Sequence, residues 1–213
     1  MRDIQNEYDN RNIPINKVGV KNLKYPIVVF DKQNQKQHTI AQIDMSVNLP
    51  HNFRGTHMSR FIEVLNRFRG EITANQLEKL LIEVKRVFRA KNAHIELTFP
   101  YFIEKHAPVS KLPGLMEYTC KFLASHNEEF EFVLGVIVPI TTVCPCSKEI
   151  SDKGAHNQRN LVTVHIRSIR FFWLEDLISL VESCASSDVY SLLKREDEKF
   201  VTEKAYDNPK FVE

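Results

Sequence analysis

Hydrophobic and polar positions alternate with two different periods along this chain, and the period changes several times. Ile27, Val28, Val29 and Phe30 form an apolar strand, and Lys32–Gln37 follows as a polar loop. Ile43, Met45, Val47 and Leu49 then alternate with polar residues, which predicts a second strand over Thr39–Leu49 that Pro50 stops. Next, Phe61, Ile62, Leu65 and Phe68 recur at helical spacing up to Gly70. Thr73 with Gln76 three residues on is a capping-box signature, and it opens a helix striped by Leu77, Leu80, Leu81, Val84 and Phe88. Strand alternation returns at Ala93, Ile95, Leu97 and Phe99, and again at Met116, Tyr118, Cys120 and Phe122. The first half therefore reads ββααββ.

The second half starts the same way. Phe132–Ile140 is a nearly continuous apolar strand, and Val162, Val164 and Ile166 alternate within Leu161–Arg170. Leu174, Leu177, Ile178, Val181 and Ala185 share one helical face, with Cys184 beside it. Asp207-Asn208-Pro209 reads as the cap and first turn of a further helix. On this reading the chain is α+β, with an N-terminal arm over 1–22 and a first module over 23–127. A second module over 128–213 lacks its last two strands.

Composition changes this picture little. Of 213 residues, 43% are hydrophobic and 26% charged, an ordinary globular balance with material for a core. Net charge is +2 with pI ≈ 8.3, which gives no nucleic-acid footprint. The sequence contains no apolar run of ~20 residues, so no membrane span is expected, and the polar N-terminus is no secretory signal. Four scattered cysteines are too few for a disulfide scaffold and imply a reduced, cytoplasmic protein.

Chemistry concentrates in residues 141–159, a connection far longer than a hairpin needs. It carries Cys144, Cys146, Lys148, His156 and Arg159, combining zinc-type ligands with anion-binding groups. The loop alone leaves three readings open: metal ligand or nucleophile, a partly buried thiol pair, or a redox pair. The last ranks lowest because a disulfide across one proline is strained. Cys120 and Cys184 read as core packing, and His94 and His165 as surface positions. His51, His57, Arg54 and Arg60 crowd a helix start, which reads equally as a phosphate seat or a solvated cap. The charge run 192–203 reads mainly as a solvated face.

Taken together, several segments resemble the type IB GTP cyclohydrolase I family. They are Arg11–Ile15, Gly55–Phe61, Phe99–Phe102, Cys144–Ser151, Gly154–Arg159 and Ala205–Glu213, in one order from end to end. The resemblance implies the tunnelling fold: two ββααββ-type modules with antiparallel sheets and helices on one face, assembled as homotetramers. It implies conversion of GTP and water to 7,8-dihydroneopterin triphosphate and formate, the first step of folate biosynthesis. By position, Cys144 and His156 would be the catalytic pair and metal ligands, and Glu198 the carboxylate ligand. Glu213 would be the substrate anchor, and Cys146 a further substrate contact or a redox-sensitive bystander. The implied cofactor is zinc or manganese, with iron as a further candidate. The alternatives are an archaeal-type relative that yields a cyclic phosphate and a non-catalytic metal-binding or thiol-switch protein.

Overall fold

Burial of alternating faces builds the observed elements, and the exposed stretches account for most departures from the expected ones. In a computed structural model, the structure describes residue 10 and residues 13–51, 55–70, 72–152, 154–168 and 170–211. The element order is β1 (Ile15–Asp31), β2 (Gln35–Leu49), α1 (Ser59–Arg67), α2 (Ala74–Phe88), β3 (Ala93–His106) and β4 (Pro113–His126). There follow β5 (Phe130–Val143), α3 (Pro145–Ile150), β6 (Asn157–Ile166), α4 (Leu174–Ser183) and α5 (Arg195–Asp207). The six strands form one antiparallel sheet in the order β1-β2-β3-β4-β5-β6. This is the α+β arrangement of a tunnelling-type fold, running ββααββ and then ββαα with α3 inserted.

The chain divides into two compact units that cut the long strands along their length. One holds the described residues up to Phe99, with Lys121–Leu134 and those from Ile166 to Ser168. The other holds Pro100–Cys120, Gly135–His165 and the described residues from Arg170. The expected module boundary at 127/128 falls in the β4–β5 turn.

In the first unit, α1 buries Phe61, Val64 and Leu65, and α2 buries Leu77, Leu80, Leu81 and Val84. Phe61 stacks on Phe88 at 4.2 Å. The inward residues of β2 and β3, Ile43, Met45, Val47, Ile95 and Leu97, are as fully buried. Each such side chain contributes about 1.5–3 kcal/mol by leaving water. The Thr73 hydroxyl caps α2 by accepting the Gln76 N–H at 3.2 Å, as the sequence signature requires. Gly70 adopts φ +126°, a conformation that strains a side-chain-bearing residue. Its carbonyl accepts the Val28 N–H, while Ile72 N–H donates to Val28 at 2.7 Å.

The expected arm is shorter than 1–22, because β1 already begins at Ile15. Its first half is mostly exposed and its register with β2 shifts twice, so it shows no apolar alternation. At the second shift Asn22 takes a left-handed φ of 58°, and its N–H donates to Asp44 at 2.7 Å.

In the second unit, a polar network runs through the interior. Glu182 Oε1 accepts from the Tyr118 hydroxyl at 2.6 Å and from Lys105 Nζ at 2.8 Å. Lys105 also lies 4.7 Å from the centre of the Tyr190 ring. Burial, followed by the Glu182 carboxylate, pushes the Tyr118 hydroxyl pKa up, so it stays a neutral donor.

Three expectations fail in this unit. Cys184 is exposed at the C-terminal cap of α4, because the helix ends at Ser183, two residues before the Ala185 of its apolar stripe. Asp207-Asn208 closes a helix rather than opening one. The charge run 192–203 is not simply a solvated face: most of it belongs to α5, which buries Asp197 and Ala205. Asp197 accepts from the N–H groups of Val109, Ser110 and Lys194 and from the Ser110 hydroxyl, at 2.7–2.9 Å.

Candidate functional site

β5 ends at Val143 and β6 starts at Asn157, so Cys144 and His156 flank the connection between two neighbouring antiparallel strands. The Cys144 N–H donates to the His156 carbonyl at 3.2 Å, which carries the ladder one pair beyond the strand ends. Residues opposite each other in an antiparallel pair carry their Cβ atoms about 5 Å apart on the same face. The fold thus joins the two backbones, and of the side chains they carry Cys144 is half-buried and His156 exposed.

Pro145 opens the short helix α3 at its first position, where a missing N–H costs nothing. The Cys144 carbonyl accepts the Lys148 N–H at 3.1 Å and lies 3.4 Å from the Ser147 hydroxyl, which donates to it. Lys148 Nζ donates to the Tyr206 carbonyl at 2.8 Å, fastening α3 to the end of α5. Below the loop, the buried Thr142 hydroxyl accepts from Asn160 at 2.6 Å. The Val143 N–H donates to the Lys210 carbonyl at 3.1 Å, and Ser186 Oγ holds Lys210 from the other side at 2.7 Å.

The other expected residues fall as follows. Cys146 is exposed on α3. Glu198 is exposed in the first turn of α5, with its N–H on the Lys194 carbonyl at 2.9 Å. Glu213 lies outside the described residues, three positions after the pinned Lys210. Among the described residues, no three His, Cys, Asp or Glu side chains gather into a metal-holding group. By donor chemistry Cys144 and His156 suit two positions of a zinc-type set. Glu198 is not gathered with them into a complete one.

Cys120 is fully buried, and burial followed by Glu175 pushes its thiol up, so it stays protonated and unreactive. His94 is half-buried rather than at the surface, and burial with nearby Lys17 lowers its pKa. His165 is exposed. In the first unit, His57, Arg60 and Arg89 line a cavity of ≈ 280 Å³ together with Thr56 and Asn48. His51, of the same segment, is exposed, and Arg54 lies outside the described residues.

Ser147, Asn160 and Lys148 carry structural bonds at this site that no residue-type rule assigns. Lys148 stood out in the sequence as an anion-binding group rather than a structural one, and Ser147 and Asn160 carried no signal of their own.

Among the described residues no helix is long and apolar enough to cross a membrane. The model of a family described as type I GTP cyclohydrolase folE2 matches residues 1–213. A GTP cyclohydrolase FolE2 of Geotalea uraniireducens (strain Rf4) is 61% identical over 213 residues, covering all of this chain and 79% of the relative. The GTP cyclohydrolase FolE2 of Geobacter sulfurreducens (strain ATCC 51573 / DSM 12127 / PCA) is 58% identical, over all of this chain and 83% of the relative. That of Kosmotoga olearia (strain ATCC BAA-1733 / DSM 21960 / TBF 19.5.1) is 54% identical with the same coverage.

Proposed function

We propose that this chain, which belongs to the type I GTP cyclohydrolase FolE2 family, converts GTP and water to 7,8-dihydroneopterin triphosphate and formate, the first step of folate biosynthesis. The observation that carries the reading is the pairing of Cys144 with His156 across the ends of β5 and β6. A thiol and an imidazole carried on backbones joined in this way can move a proton to and from a purine ring edge.

In this reading Cys144 and His156 are the catalytic pair, and they would hold a divalent metal together with Glu198. Zinc or manganese is the proposed ion, with iron as a further candidate. Such an ion, when bound, lowers the pKa of a coordinated water. Glu213 is proposed to accept the guanine N1–H and 2-amino group side by side, which selects guanine over adenine. Cys146, exposed on the same short helix, is proposed as a further substrate contact. The assembly is proposed to be a homotetramer working in the cytoplasm.

The test incubates the protein with GTP and zinc or manganese, following formate release and pterin fluorescence. Formate together with neopterin triphosphate is the expected result, and Cys144→Ala should fall to background while Cys120→Ala keeps near-normal turnover. No formate with either ion, or with iron, would sink the enzyme reading. A cyclic phosphate product would move the chain to the archaeal type of reaction.

A further inference from the structure

Residues 144 and 156 are joined in both directions, but by unlike links. In a hydrogen-bonded antiparallel pair, each residue's N–H donates to the other's carbonyl. Here the outward link is direct, from the Cys144 N–H to the His156 carbonyl at 3.2 Å. The return runs through a side chain: the His156 N–H donates to Ser147 Oγ at 3.0 Å, and that hydroxyl donates to the Cys144 carbonyl at 3.4 Å.

We propose that Ser147 is a positioning residue for the reaction, whose hydroxyl sets the spacing between the Cys144 thiol and the His156 imidazole. The inference rests on the reading of Cys144 and His156 as the reacting pair. Serine suits the place chemically, since a hydroxyl on a one-carbon stem is both donor and acceptor. It also suits the place geometrically. Pro145 starts α3, and the third residue of that helix, Ser147, carries its hydroxyl between the His156 N–H and the Cys144 carbonyl. Removing the hydroxyl does not strand a buried group. The His156 backbone sits at an exposed residue, so water can take the N–H. The fold therefore survives the loss while the spacing loosens.

The full chain carrying Ser147→Ala or Ser147→Thr tests this with GTP and zinc or manganese. Ser147→Ala should lower kcat by about 10- to 100-fold with KM for GTP unchanged within about twofold, since small misplacements of reacting groups act on kcat. Threonine keeps the hydroxyl and should return kcat to within about threefold of the parent. In metal-free protein, amide exchange at His156 should quicken at least about tenfold in Ser147→Ala and recover in Ser147→Thr. Parent-like kcat and exchange in Ser147→Ala would overturn the proposal. So would a rise in KM alone, or a normally folded threonine variant without rescue. If the parent releases no formate, the cyclohydrolase reading falls. The exchange rates then decide separately whether the hydroxyl holds the pair.

Discussion

Asp31 and Asp197 are both buried carboxylates that accept main-chain N–H bonds, but they join very different parts of the sequence. Asp31 stays local, accepting from Gln33 and Asn34 N–H at 2.9 and 2.6 Å and from the Gln37 side chain at 3.2 Å. It closes the turn between β1 and β2. Asp197 reaches back 88 residues to Val109 and 87 to Ser110, while also holding the start of its own helix at Lys194. One acid shapes a turn that its neighbours already favour; the other fastens α5 to a turn made far earlier. A short-range bond lowers the cost of a conformation, whereas a long-range one decides where an element sits.

The sharpest way to break this comparison is to delete each acid. Asp197→Ala leaves two turn N–H groups and a helix start without their acceptor, and should lower the thermal midpoint by roughly 10 °C in a circular dichroism melt. A loss no greater than that of Asp31→Ala would show that distance along the chain adds nothing.

Acid should have a smaller effect than deletion, because a protonated carboxyl keeps part of its bonding. For both residues burial opposes ionisation, but hydrogen bonds from Asn34 at Asp31, and from Ser110 at Asp197, win and lower the pKa. A carboxylate whose pKa is depressed on folding contributes stability above its unfolded pKa of about 3.9. That contribution is lost as pH falls through the lower folded value. Denaturant midpoints should therefore drop below about pH 4, and less steeply in Asp197→Asn than in the parent. Parallel pH curves would refute the assignment.

Next comes Asp31→Ala, expected to cost about 1–2 kcal/mol in urea unfolding, since nearby water and the neighbouring polar side chains replace part of the turn. The smallest change should follow Glu83→Gln, which weakens the exposed contacts to Arg67 and Arg86 at 2.8 and 2.7 Å. It should cost no more than about 0.5 kcal/mol. A larger loss would mean that surface pairing rivals the buried local acid.

How far the sequence could be read follows the same division. Thr73 with Gln76, the α2 stripe and the alternation in β2 and β3 are local patterns with one buried face, and each matches its element. The first half of β1 escaped notice because both its faces are largely exposed, so alternation carried no signal. α5 was hidden because its buried residues are an aspartate and an alanine, and because Asn208-Pro209 can mark either end of a helix. Within the site, residue types alone drew attention to Cys144 and His156. The bonds from Ser147 and Asn160 depend on where β5 and β6 end, which no residue type specifies.

The stitching at the end of β5 also bears on the order in which the molecule can mature. Thr141 exchanges bonds with Ser186 and Ser187, and Val143 waits for Lys210. During synthesis the β1–β2 pair and the helices behind it can form as they emerge from the ribosome. The strand that ends beside Cys144 receives its last partners from Ser186, Ser187 and Lys210, all made well after it. Cys144 therefore stays on an unfinished edge until Lys210 has been made, and the site sets later than the β1–β2 pair.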